Sequence, residues 1–267
     1  MRGEIELQDK KPEIKESLER VGITGLKSIV MTNWKNRKYN FVPEIELTLD
    51  LDKERKGIHM SRLVESIAEC IEEEVEIRHG SLEEVEKSIL EKLKEKHPFN
   101  HAEITMKTDL IIPQKTPVTG KRTMEAHEIS VKVSCNNGVY TKVLKVKVLG
   151  NTVCPHAMNK NKGRTHIQRA MGMLEIETEY EHEIELEEMI KCVELAFPSE
   201  VYTLLKTEDE RYIVNEMFQN PKFVEDVTRG ILINAKRKFK NCKIRAKTIS
   251  QESIHRHDVI AEGSCMS

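Results

Sequence analysis

No stretch of this chain has the ~20 consecutive apolar residues that a bilayer-spanning helix requires, and the opening MRGEIELQDKK carries no apolar signal core. The expectation is therefore a cytoplasmic protein with no membrane partner. An excess of charge is also missing: 43 basic residues stand against 45 acidic ones, for a net charge of −2. No global field would draw in a polyanion, so nucleic acid is not an expected partner. Any anionic ligand must be held by local Arg, Lys and backbone N–H groups. The six cysteines (Cys70, Cys135, Cys154, Cys192, Cys242 and Cys265) show no CxxC and no disulfide-like spacing. In a cytoplasmic setting they read as reduced thiols. No residue-level repeat is visible. What is present is a charge-rich globular composition, 38% hydrophobic and 33% charged over 267 residues. That length buries a core as one large domain or as two fused modules.

Residues 1–37 read as an N-terminal arm, broken by Pro12, Gly22 and Gly25, with VGITGLKSIVM as a short extended segment. Residues 39–51 alternate apolar and polar around Pro43, the signature of a half-buried strand. A helix follows KGIHMSR, with Leu63, Ile67, Cys70 or Ile71, and Val75 at helical spacing. A second helix is expected over 81–96, where Ser81 and Glu84 form a capping box. The period returns to two over 102–112. A hairpin then joins 128–135 to 139–149 through Asn136-Asn137-Gly138. Beyond residue 150 the pattern predicts a strand at 173–179, helices at 186–196, 208–218 and 222–238, and strands at 243–249 and 255–261. The order partly recurs, so the expected fold class is α+β. It comprises two tandem modules, 38–150 and 151–267, each an antiparallel sheet with helices packed on one face.

Chemistry-bearing residues concentrate in two stretches. The first, GNTVCPHAMNKNKGRTHIQRAMG at 150–172, places Cys154, His156 and His166 in a polar loop. A thiolate with imidazoles suits Zn²⁺ or Fe²⁺, and three protein ligands leave a position open for water. A buried free cysteine with two surface histidines accounts for the loop equally well. The second stretch, QESIHRHD, carries His255 and His257. Two residues apart in a strand, they would share one face and could converge on a metal, or divide metal binding from proton transfer. A polar strand end is the commoner meaning of an isolated His-x-His.

Two acids stand out, Glu210 in a first helical turn and Glu225 on the next helix. Glu225 fits either a carboxylate that accepts from a purine N–H edge or a solvated i,i+4 partner of Arg229. Ser61 and Arg62, at a helix start, could hold phosphate. The loop cations Lys115, Lys121, Arg122, Lys160, Lys162 and Arg164 could assist.

Taken in order, KGIHMSR, TVCPHA, THIQRA, VYTLLKTEDE, NPKFVED and ESIHRHD resemble the type IB GTP cyclohydrolases and their archaeal MptA branch, from about Val21 to Glu262. The resemblance implies a tunnelling fold with two modules per subunit. It also implies a homo-oligomer, dimer or tetramer, whose sheets close into a barrel with active sites at subunit interfaces. The substrate it implies is GTP. Water activated by a metal attacks C8 of the guanine, the imidazole ring opens, formate leaves, and the sugar carbons rearrange into a dihydropterin. Motif by motif, Cys154, His166, Glu210 and His255 would hold the metal. Cys154 and His257 would be catalytic, with His257 moving protons. Glu225 would anchor guanine, and Ser61 and Arg62 would bind phosphate. The expected ion is Fe²⁺, one per subunit, with Zn²⁺ or Mn²⁺ as alternatives. The family's Cys-Pro-Cys is Cys154-Pro155-His156 here, and its His-Asn-Gln-Arg is His166-Ile167-Gln168-Arg169.

PEIKESLERVGITGLK and IHRHD are closer to the MptA branch, which implies 7,8-dihydroneopterin 2′,3′-cyclic phosphate for methanopterin. The alternative is the triphosphate made by type IB enzymes. Two readings from other classes are a purine-binding nitrile reductase of the same fold, which would need NADPH, and a non-catalytic metal- or purine-binding protein. Formate release without NADPH separates the cyclohydrolase from both.

Overall fold

The computed structural model describes residues 6–34, 37–73 and 80–267. Val75, expected on the first helical stripe, lies outside the described residues. The chain resolves into two compact units. One comprises 1–108 with 130–143, the other 109–129 with 144–267. The expected cut after residue 150 differs from this partition: residue 150 falls inside the strand 139–153, and the strands 101–115, 122–136 and 139–153 each contribute to both units.

In the first unit, β1 (Leu18–Lys27), β2 (Val30–Trp34), β3 (Arg37–Phe41) and β4 (Glu44–Leu51) precede α1 (Met60–Glu73) and α2 (Leu82–Lys96). The N-terminal parts of β5 (His101–Lys115) and β7 (Val139–Val153) and the C-terminal part of β6 (Arg122–Asn136) complete it. The hydrogen-bonded order is β1-β4-β5-β6-β7, with β2 and β3 as a separate hairpin. Pro43 falls between β3 and β4, where a missing N–H costs no ladder bond. The alternation that predicts β4 buries Ile45, Leu47 and Leu49, and the stripes Leu63 and Ile67 of α1 and Val85, Ile89 and Leu93 of α2 are buried as well. Ser81 caps α2 by accepting the Glu84 N–H at 3.3 Å. Asn137 and Gly138, both at positive φ, turn the β6–β7 hairpin as the sequence predicts.

The expected arm is the main correction in this unit. Residues 18–27 are an edge strand paired antiparallel with β4, from Leu18 opposite Leu51 to Lys27 opposite Glu44. Two register shifts interrupt the pairing, and Gly25 at φ +74° sits at the second. A bulge of this kind needs a residue that tolerates the left-handed region. The edge position leaves β1 mostly exposed, so its sequence lacks the apolar alternation that would have announced it.

The second unit takes the remaining parts of β5, β6 and β7. To these it adds α3 (Pro155–Lys160), β8 (Ile167–Glu179), α4 (Leu186–Glu194), α5 (Thr207–Gln219), α6 (Val224–Lys238), β9 (Lys243–Ser250) and β10 (Val259–Met266). Its order is β5-β6-β7-β8-β9-β10, with β8, β9 and β10 antiparallel in sequence. Helix α6 crosses β8, β9 and β10 and also meets α4. Its stripe of Val227, Ile231 and Ala235 is buried, as are Leu174 and Ile176 of β8 and Ile244 and Ala246 of β9. The expected α+β class with antiparallel sheets and packed helices is what the chain adopts. Among the described residues no helix is long and apolar enough to cross a membrane.

The last expected strand, 255–261, begins later than the pattern suggested. Pairing of Val259 with Ser250 closes the β9–β10 hairpin. Residues 251–258 are therefore the connecting turn, and His255 and His257 are not on a strand face. The polar run QESIHRHD has no apolar partner to bury, so it takes the exposed turn.

Candidate functional site

The loop that follows β7 is built in the second unit. Cys154 is the N-cap of α3, and Pro155 occupies the first helical position, where a missing N–H is no loss. The Cys154 sulfur accepts the Ala157 N–H at 3.4 Å. The Cys154 N–H donates to the His166 carbonyl at 3.3 Å, and the Thr165 hydroxyl donates to the Cys154 carbonyl at 2.7 Å. These bonds close the loop at its mouth and hold the two donor residues side by side. His156 projects from α3 as an exposed side chain.

His166 is held more tightly than a loop histidine need be, with its side chain only 12% exposed. Its Nδ1 lies 2.8 Å from the Gln168 amide oxygen. The Gln168 nitrogen donates to the Thr152 hydroxyl at 2.8 Å and to Glu252 Oε1 at 3.2 Å, which orients the amide. A carbonyl oxygen only accepts, so His166 Nδ1 carries a proton, and in the neutral ring the lone pair is on Nε2. The network continues through Ser250. Its hydroxyl is 2.7 Å from that of Thr152 and donates to Glu252 Oε1 at 2.8 Å. Glu252 Oε2 lies 3.7 Å from His166 Nδ1, an ion-pair distance rather than a hydrogen bond.

The second motif meets the first through this network. Gln251 N–H donates to the Arg169 carbonyl at 2.9 Å, and His255 N–H to the Glu252 carbonyl at 3.3 Å. The rings of His255 and His257 stack in the turn, centroids 5.1 Å apart and nearly parallel at 15°. His257 Nδ1 donates to the Asp258 carbonyl at 3.3 Å. Both rings are exposed.

The acids are placed on helix starts. Glu210 sits exposed in the first turn of α5. Its neighbour Asp209 has no solvent-accessible surface and binds the Thr119 hydroxyl and N–H, the Val118 N–H and the Lys206 N–H. Burial pushes the Asp209 carboxyl up, but these four donors outweigh it and hold the group well below the usual carboxylate range. Glu225 is exposed in the first turn of α6. Arg229 pairs with Asp226 at 3.1 Å, not with Glu225, so the expected i,i+4 pair is not made. The chain entering α6 runs beside the end of β7, where the Val153 N–H donates to the Lys222 carbonyl at 3.4 Å. In the first unit, Ser61 is exposed on α1, and the Arg62 guanidinium donates to the Lys96 carbonyl at 3.4 Å.

A sulfur donor and an imidazole, on two residues joined by a backbone hydrogen bond, are donor chemistry that suits Zn²⁺ or Fe²⁺. Among the described residues of one chain, however, no three His, Cys, Asp or Glu side chains converge as a ligand set. Cys154 and His166 are brought together. Glu210 is not joined to them by any described contact, and His255 is linked only through the backbone of Glu252. Sequence reasoning missed Thr152, Ser250, Glu252 and Asp209. One signal was available, since Gln168 is two residues from His166 and so projects to the same side.

A family model described as Type I GTP cyclohydrolase folE2 matches residues 5–261. The GTP cyclohydrolase MptA of Thermococcus kodakarensis is 54% identical over 263 residues, covering 97% of this chain and 98% of that protein. The GTP cyclohydrolase MptA of Pyrococcus furiosus is 53% identical over 263 residues, with the same coverage. That of Methanocaldococcus jannaschii is 32% identical over 297 residues, covering 98% of this chain and 95% of that protein. Among solved structures, uricase from Arthrobacter globiformis matches with a TM-score of 0.57 over 93% of both chains at 8% identity. That likeness shows a shared fold alone.

Proposed function

We propose, from the premise that this chain belongs to the type I GTP cyclohydrolase folE2 family, that it opens the guanine imidazole ring of GTP and releases formate. We further propose that its product is 7,8-dihydroneopterin 2′,3′-cyclic phosphate, for methanopterin biosynthesis. The relatives named MptA, identical over half of nearly the full chain, support this product over the triphosphate.

The observation that carries the chemical reading is the His166 ring. Its Nδ1 proton is committed to Gln168, which leaves Nε2 free to donate a lone pair, and the His166 carbonyl accepts the Cys154 N–H. In this reading Cys154, His166, Glu210 and His255 hold one divalent ion, Fe²⁺ by preference and Zn²⁺ or Mn²⁺ as alternatives. The ion supplies Lewis-acid activation of water near neutral pH.

The remaining work falls to the chain's own side chains. The two oxygens of Glu225 match the adjacent N–H donors on the guanine edge and fix which carbon faces the sulfur-imidazole pair. His257, its Nδ1 bound to a carbonyl, presents Nε2 to accept and return protons as the ring opens and formate leaves. Lys160, Lys162 and Arg164 are exposed on the same loop and are suited to the phosphates, with Ser61 and Arg62 as further phosphate ligands. His255, His257, Glu210 and Glu225 are all exposed. That exposure supports a homo-oligomer in which a second copy of the chain completes the ligand set, with the sheets of the copies joined as a barrel.

One anaerobic incubation tests the reading. Protein, Fe²⁺ and GTP should release formate and a fluorescent pterin without NADPH, and mass spectrometry of the pterin should show the cyclic phosphate. Absence of formate rejects the activity, and a triphosphate product rejects the assigned branch.

A further inference from the structure

We infer that Gln168 and Glu252 are positioning residues that fix the tautomer and aim of His166, and that Glu252 ties the His255–His257 turn to the same point. The inference rests on the proposed role of His166 as a metal ligand. Gln168 is buried, at 7% exposure, and both ends of its amide are bonded to protein groups. Its oxygen takes the His166 proton, and its nitrogen is shared between Thr152 and Glu252. Reversing the amide would set its oxygen against the Glu252 carboxylate. The amide thus has one orientation, and the imidazole proton follows from it.

Glu252 supplies the asymmetry that decides this orientation. Its Oε1 accepts from Gln168 and from Ser250, and its Oε2 faces His166 Nδ1 at 3.7 Å. The same residue accepts the His255 N–H through its backbone carbonyl. One residue therefore sets the proton on one imidazole and anchors the turn that carries two others. Histidine ligands are commonly held by such outer partners, whose loss typically lowers metal affinity roughly tenfold to hundredfold.

The full-length protein tests this without any turnover measurement. In metal-free protein at pH 8, the ¹⁵N shifts of His166 should report the Nδ1–H tautomer. In Gln168→Met, which keeps the volume and loses all three bonds, the proton should redistribute toward Nε2. Gln168→Met and Glu252→Gln should each weaken Co²⁺ binding, followed by its thiolate charge-transfer band, by roughly tenfold to hundredfold. Thermal melting of the metal-free variants reports folding, and Glu252→Gln stands in if Gln168→Met does not fold. Unchanged Co²⁺ affinity in a folded variant, or an unchanged tautomer in Gln168→Met, overturns the inference while leaving the metal site itself in place. His166→Ala separates the two ideas, because full Co²⁺ affinity in that variant removes His166 from the metal site altogether.

Discussion

The Asp209 carboxylate accepts the Thr119 hydroxyl at 2.6 Å across 90 residues of chain. Asp209 also caps the first turn of α5, in which Glu210 follows, so the bond pins the helix start that presents a proposed ligand. Because its folded pKa is depressed, the stability Asp209 contributes is fully present above its unfolded pKa near 3.8 and is lost progressively as pH falls from there through the folded pKa. Asp209→Asn should lower the melting temperature at pH 7, and the gap to the parent should begin to narrow as melts are repeated below about pH 4. A gap that stays constant with pH would show that the charge is immaterial.

Glu194 titrates in the opposite sense. Burial raises it from 4.5 to about 7 against the hydrogen bond from Gln114, with Glu200 and Glu125 adding to the rise. It lines a cleft of about 410 Å³ together with Tyr202 and Tyr212. The stability linked to its proton is complete below pH 4.5 and is lost progressively as pH rises through about 7. Glu194→Gln keeps an acceptor for Gln114 and should flatten this stretch of the pH–stability curve. Denaturant melts at pH 5 and 8 should show the variant gaining on the parent by up to roughly 3 kcal/mol at the higher pH.

Gly150 and Gly172 bracket the Cys154 loop, and both lie under Phe197. A Cβ at Gly150 would stand 2.3 Å from Phe197 Cδ2, and one at Gly172 2.6 Å from Val193 Cγ1. Phe197 is buried and cannot swing into solvent. Gly150→Ala should destabilise the protein by about 1–3 kcal/mol in urea melts. A neutral result would mean that the segment after α4 that carries Phe197 shifts to make room.

The donor assignments have their own test. Cys154→Ala and His255→Ala should each lose most bound metal and lower kcat by roughly a hundredfold or more, as loss of a ligand exceeds loss of an outer partner. Metal content by elemental analysis, read beside formate release, checks both effects. Full activity in either variant removes that residue from the site.

Glu225 is assigned to guanine, not to metal. Glu225→Ala should raise KM for GTP by about tenfold to a hundredfold, the worth of a charge-assisted hydrogen bond, with metal content unchanged. Metal loss in this variant would move Glu225 into the ligand set.

Much of this molecule could be read from the amino acids alone, and the reason is local. Residues 81–96 carry their own cap and stripe. The hairpin carries its Asn-Gly turn, and β4 and β5 alternate because one face of each is buried. The cysteine and histidines were visible because few other residue types offer soft donors near neutral pH. Edge strand β1 was hidden, since a strand with little to bury has no pattern to show.

Two decisions belonged to the tertiary structure. Pairing of Val259 with Ser250 took His255 and His257 off the strand and into a turn, because hairpin register is set by both strands together. Contacts from β7, β8 and the 251–258 turn chose which nitrogen of His166 bears the proton, through Thr152, Gln168 and Glu252. Composition and spacing could nominate the donors. Only folding could orient a single lone pair, because a hydrogen bond has a direction and Glu252, which orients the Gln168 amide, lies 84 residues from it along the chain.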